Sequence, residues 1–328
     1  MMLHKGNALY NVSSWSDDRE NVYHVRLNHQ KRPYNILDAQ TMSELDYILE
    51  NFIINTKYSY GYPETKGYRG VIFSSGKSTF ISGADVKEIA GAYEAPEELI
   101  DYTLKRGQSL FNRIEDLKIP TVAIINGLTM GGGLELALAC TSRIMVGQEA
   151  FVGEEYSPIP KPKLALPEVK LGVVPSWGGT TRLPRIISPI KAMDIICSGR
   201  NVYPEEALKI GLVDKIISRR LAYEEAYNII DSIDHEMVRE SKFLPAEISK
   251  WKMCAVGKVM KFLVGRKQKK MFGSRDKYPS PYRAIELLKK SLSLTRGGSL
   301  DLEREAFIEL VKTEESRELV GRFLSGER

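Results

Sequence analysis

The sequence predicts an α/β fold built on a parallel sheet and followed by a helical C-terminal region. Short apolar runs alternate with helical patterns over about the first 220 residues. A run of three glycines opens an apolar helix after Met130, and the last hundred or so residues hold no convincing strand.

The elements follow in order. Residues 1–18 are polar and read as an irregular extension. Val22–Leu27 reads as a strand, and residues 37–54 as a helix with Asp38 at its cap. Residues 58–67 form a turn-rich loop, 70–74 a short apolar strand, and 82–87 a loop. A helix is expected over 96–117, with Pro96 near its first turn. Thr121–Ile125 is a buried strand feeding Asn126, Gly127 and the glycine-led helix, and 143–146 is a fourth strand. Helices then dominate, at 188–197, 204–210 and 221–233. The chain divides into an extension (1–18), a core (19–218), a helical basic connector (219–277) and a C-terminal helical region (278–328).

Composition excludes several classes. Of 328 residues, 43% are apolar and 27% charged, as in soluble globular proteins, and no run approaches a membrane span. The N-terminus carries neither a signal peptide's apolar stretch nor a transit peptide's pattern, so a cytoplasmic location is expected. Cys140, Cys197 and Cys254 form no close-spaced pair, which suggests neither disulfides nor zinc, and only four histidines are present. No metal site is therefore expected, and Cys140 reads as packing. The net charge of +5 is concentrated between Lys250 and Lys277, where 10 basic residues face one acid, Asp276. The slightly acidic remainder argues against nucleic acid binding. Within that stretch, apolar residues at 251, 255, 259 and 262 make one helical stripe flanked by lysines. It reads as a packed helix with a wet basic face; contact with a ligand's phosphates, a membrane surface or an acidic partner is the functional alternative.

Two carboxylates stand in apolar, glycine-rich settings: Glu135 after the Gly131–Gly133 run, and Glu168 between Pro167 and Gly172. A helix opened by glycines presents backbone N–H groups at its positive end, where a developing anion can be held. Such a site beside two half-buried acids suits proton transfer next to a carbonyl. Alone, either acid would read as structural: Glu135 as a first-turn residue favoured by the dipole, Glu168 as an ordinary turn acid.

The order of motifs changes that balance. Phe80-Ile-Ser-Gly-Ala-Asp-Val-Lys-Glu-Ile89, Asn126-Gly-Leu-Thr-Met-Gly-Gly-Gly-Leu-Glu135, Pro167-Glu-Val-Lys-Leu-Gly172 and Gly178-Gly-Thr-Thr-Arg-Leu-Pro-Arg185 follow one another along the chain. In this order the sequence resembles the enoyl-CoA hydratase/isomerase (crotonase) superfamily. Tyr278-Pro-Ser-Pro-Tyr-Arg-Ala-Ile285 and residues 303–313 look like the segment that follows the hydratase part of multifunctional fatty-acid oxidation proteins. No Gly-x-Gly-x-x-Gly follows a strand, so no dehydrogenase activity is expected in this chain.

The resemblance implies a crotonase-like ββα spiral with a helical C-terminal region. By motif position, the backbone N–H groups of Ala84 and Gly132 would form the oxyanion hole, while Gly131 and Gly133 serve conformation and close approach. Glu135 and Glu168 would hold the water of a hydratase, a lyase of fatty-acid β-oxidation that turns a 2-enoyl-CoA into a 3-hydroxyacyl-CoA. Ser82, Gly83, Asp85, Lys87, Gly131 and Ser176 would line the substrate, with Lys87 directed either to the nucleotide of CoA or to solvent. Arg182 and Arg185 read as structural. No cofactor is implied beyond CoA as part of the substrate. The implied partners are further copies in a homo-oligomer, a trimer in many family members, or a dehydrogenase or thiolase. Isomerase, decarboxylase or thioester hydrolase chemistry, or a weakly active partner-binding subunit, are the alternatives. Two features depart from the family pattern: a proline-bearing insertion between Phe151 and Leu166, with Glu154 and Glu155 as further acids in a solvated loop, and Ser176 where the family places glycine.

Overall fold

A computed structural model describes residues 7–8, 10–17, 20–55, 64–65, 67–147, 161–233, 258, 262, 266 and 278–327. The chain forms two compact units. The first comprises Met1–Gly83, Leu110–Leu164 and Val202–Lys242; the second comprises Ala84–Ser109, Ala165–Asn201 and Phe243–Arg328.

The chain opens with three strands, β1 (Asn7–Ala8), β2 (Val12–Asp17) and β3 (Val22–Leu27). Helix α1 (Ala39–Ile48) begins where the Asp38 carboxylate accepts the Thr41 N–H at 2.8 Å, as its cap position predicted. A short hairpin, β4 (Ile54–Asn55) and β5 (Glu64–Thr65), precedes β6 (Gly70–Ser75). Helices α2 (Val86–Ala92) and α3 (Glu97–Glu115) follow, then β7 (Thr121–Ile125), β8 (Leu128–Met130), α4 (Gly132–Ala139) and β9 (Ser142–Val146). Beyond β10 (Lys163–Ala165) come α5 (Gly179–Ile186), α6 (Pro189–Ser198), α7 (Pro204–Lys209), β11 (Lys215–Ile217) and α8 (Ala222–Ser232). The C-terminal region is α9 (Ser280–Ser291), α10 (Arg296–Val311) and α11 (Glu314–Ser325).

A seven-stranded sheet, in the order β1-β2-β3-β6-β7-β9-β11, forms the first unit. It is parallel from β3 to β11, in keeping with the parallel sheet that strand–helix alternation predicts, and antiparallel across β1, β2 and β3, which makes it mixed. The irregular reading of residues 1–18 is corrected, because Val12–Asp17 pairs residue for residue with β3. Its serines hid the strand; Ser14 is buried because its hydroxyl meets the Tyr23 hydroxyl at 2.9 Å. Apolar residues of β3, β6, β7 and β9 (Val22, Ile72, Val122, Ile124, Ile144, Val146) pack under α8 through Ala222, Ala226, Ile229 and Ile230. Burial of such side chains stabilises by roughly 1.5–3 kcal/mol each.

The second unit is helical. In it α9 packs on α5, α6 and α10, α10 on α5, and α11 on α2 and on a 3-10 turn at Glu168–Leu171. Among the described residues no strand follows β11 and no helix is long and apolar enough to cross a membrane. The insertion acids Glu154 and Glu155, and the basic stripe except for positions 258, 262 and 266, lie outside the described residues.

Candidate active site

In the first unit, the segment Phe80–Gly83 runs beside β8. Phe80 N–H donates to Leu128 O at 3.1 Å and Met130 N–H to Ile81 O at 3.0 Å, while Ile81 and Thr129 bridge in parallel. This pairing brings the Ser82-Gly83 motif to the entrance of α4. The main chain turns into that helix at Gly131, whose φ of +51° is a left-handed value that glycine adopts cheaply. Gly131 offers no side chain to cap α4, so the helix start stays open. A methyl group at Gly133 would lie 2.6 Å from both the carbonyl oxygen and Cβ of Ile81, which makes glycine a condition of the close approach.

Glu135 lies in the first turn of α4 and is 2% exposed. The rest of α4 is apolar and buried, including Cys140 just beyond its end, whose thiol meets Leu136 O at 3.5 Å as a packed residue.

Asn35 is a residue that sequence reasoning missed. Buried to 1% exposure, it donates to Leu27 O, Phe80 O and the Ser75 hydroxyl, and its own O accepts the Ser82 N–H at 2.8 Å. It therefore fixes the segment that carries Ser82 and Gly83. The signal, a lone asparagine in a loop, is too generic to find from sequence.

In the second unit, Asp85 caps α2, its carboxylate accepting the Lys87 N–H at 3.1 Å. The loop expected over 82–87 is thus corrected: it gives way to helix at Val86, and Asp85 acts on its own helix. Lys87 is exposed. Glu168 opens the 3-10 turn, which ends at Gly172 in a left-handed conformation (φ +73°). Two hydroxyls grip that turn: Ser280 Oγ on α9 donates to Val169 O at 3.2 Å, and Ser316 Oγ on α11 to Leu171 O at 3.0 Å.

Ser176 is buried in the next bend. Its carbonyl accepts Gln108 Nε2 at 2.8 Å, and the Gln108 oxygen accepts Arg304 Nη1 at 2.6 Å. Trp177 lies against α3 so closely that a methyl group at Gly107 would meet its Nε1 at 2.5 Å. Arg182 Nη1 donates to Trp177 O at 2.9 Å and Arg185 Nη2 to Ser291 O at 2.8 Å, which gives both arginines structural roles. Glu303 on α10, fully buried, accepts the Gly178 N–H at 2.8 Å and the hydroxyls of Thr180 and Thr181 at 2.6 and 2.7 Å. Burial pushes its carboxyl above the ordinary value, against the lowering effect of those hydroxyls, Arg182 and the Gly178 amide. Among the described residues, no cluster of histidine, cysteine and acids is placed to hold a metal ion.

Residues 17–253 match the family model described as enoyl-CoA hydratase/isomerase. The chain belongs to the enoyl-CoA hydratase/isomerase family. Its structure is similar to that of an enoyl-CoA hydratase from Bacillus anthracis, with 25% identity, 96% of each chain covered and a TM-score of 0.56. An enoyl-CoA hydratase from Bacillus halodurans matches at 19% identity, over 95% of this chain and 99% of that one, with a TM-score of 0.62. An enoyl-CoA hydratase/isomerase from Mycobacterium paratuberculosis matches at 17% identity, over 96% and 99%, with a TM-score of 0.63. The crotonase-like α/β fold with its C-terminal helices is that of the enoyl-CoA hydratase/isomerase family.

Proposed function

We propose that the chain is a 2-enoyl-CoA hydratase, adding water syn to a trans-2-enoyl thioester to give a 3-hydroxyacyl-CoA. The observation that carries this reading is Glu135, buried in the first turn of a glycine-opened helix beside the Ser82-Gly83 segment. The family motifs supply its counterpart, Glu168. In the proposed reaction one acid takes a proton from water as the oxygen bonds to C3. The other delivers a proton to C2, and the thioester oxygen carries the charge between the two steps. The N–H groups of Ala84 and Gly132 would hold that oxygen, a contribution whose loss costs ~3 kcal/mol per donor in comparable sites. Water supplies both added groups, so the reaction balances without a redox cofactor. A cytoplasmic place in β-oxidation and assembly into a homo-oligomer, or with a dehydrogenase or thiolase, belong to the same reading.

Hydration of crotonyl-CoA by wild type, Glu135→Gln and Glu168→Gln tests it. Wild-type turnover that falls at least ~100-fold in both variants is expected from the loss of a general acid or base. Turnover that survives Glu168→Gln would sink the paired-acid assignment. Double-bond migration, decarboxylation or thioester cleavage without hydration would move the chain to another enolate chemistry. Inactivity on every chain length would leave the partner-binding role.

A further inference from the structure

The bend Val173–Thr181 is buried along its whole length, and a buried bend must satisfy its main-chain groups from elsewhere. One helix turn of α10 does much of this. Glu303 takes the Gly178 N–H and the two threonine hydroxyls at the far side of Ser176. Its neighbour Arg304, anchored by Asp101 at 2.8 Å and Asp301 at 2.6 Å, reaches the near side through Gln108 to the Ser176 carbonyl. Gln108 also donates to Leu300 O at 3.0 Å, so three positions of α10 converge on this bend. A fully buried carboxyl group is a costly way to fill space, and an apolar side chain of the same volume would fill it at less desolvation cost. What an apolar residue lacks is an acceptor aimed at one peptide N–H two residues from Ser176.

We propose that Glu303 is a positioning residue for hydration, holding in place the main chain of Ser176–Gly178, whose Ser176 the family resemblance assigns to the substrate site. The inference rests on the hydratase reading and deepens it: the C-terminal helix sets the geometry of the chemical step. Glu303 itself donates no proton to substrate.

Three variants test this with crotonyl-CoA. Glu303→Leu leaves the Gly178 N–H without its acceptor. Glu303→Gln keeps an oxygen for that N–H, and its amide can donate to the hydroxyls, which can also accept. Glu44→Leu is the control: Glu44 is also buried, at 4% exposure, and accepts the N–H groups of Asn11 and Val12 in the first unit, remote in role from Ser176. The expected result is a kcat at least tenfold lower in Glu303→Leu with KM within twofold, recovery to within about threefold of wild type in Glu303→Gln, and an unshifted pH profile of kcat/KM. Glu44→Leu should lower the Tm and leave kcat alone. Were Glu303→Leu insoluble, the Thr180→Val/Thr181→Val pair removes two of the three donors and is read the same way. If the Glu303 variants merely lower the Tm as Glu44→Leu does, the proposal is overturned while the hydratase reading stands. If wild type hydrates nothing, both fall together.

Discussion

At Gly133 a single hydrogen atom decides whether α4 can lie against Ile81. Alanine there would push its methyl group to 2.6 Å from main-chain and side-chain atoms of Ile81, and neither can retreat because Ile81 O is bound by Met130 N–H. Gly133→Ala should therefore destabilise the protein by about 1–3 kcal/mol, as overpacking does, and lower hydration beyond what stability explains. Urea unfolding and crotonyl-CoA turnover of the same sample check both parts. Such residues were legible: glycines before an apolar run announce close approach and an open helix start. Asn35 and Glu303 were not. Their partners lie up to 45 and 125 residues away, so nothing in their own neighbourhood marks them.

The elements show the same division. β6, β7 and β9 carry short apolar runs (Val71–Phe73, Val122–Ile125 and Ile144–Val146) and stood out, as buried parallel strands do, while β3 is apolar at Val22, Tyr23, Val25 and Leu27. β2 did not, because its residues are Val, Ser, Ser, Trp, Ser and Asp and its strand state comes from pairing with β3. Helix α2 was hidden inside a motif whose glycine and aspartate read as loop; the aspartate is its cap. The turn bearing Glu168 is a 3-10 turn of four residues, too short to hold itself. The Ser280 and Ser316 hydroxyls supply what local propensity cannot. A Ser280→Ala/Ser316→Ala double variant should lose roughly 1–3 kcal/mol and exchange the Val173 amide proton faster, since that N–H is bound to Glu168 O. Native-state hydrogen exchange is the measurement; unchanged protection at Val173 would show the clamp to be idle.

At the scale of the whole molecule, each unit holds a titratable group whose burial ties stability to pH, and the two act with opposite sign. In the first, burial pushes His24 down from 6.5 to about 4, with Asp17 opposing, while its ring stacks on Trp15 at 4.8 Å. A depressed histidine gives stability that is present above pH 6.5 and lost as pH falls toward 4. In the second unit, burial, and then Glu318, raise the Glu315 carboxyl from 4.5 to about 8. A raised acid gives stability that is present below 4.5 and lost as pH climbs to 8. Urea unfolding at pH 5, 6.5 and 8 should show Glu315→Gln relieving the loss on the alkaline side and leaving the acid side as in wild type. The sheet of the first unit carries one last consequence. Among the described residues its outermost strands are its shortest, two residues in β1 and three in β11, the latter led by the exposed Lys215. At the β11 end a stray strand would find only three residues of ladder to extend, the first of them a charged lysine, which disfavours edge-to-edge pairing there.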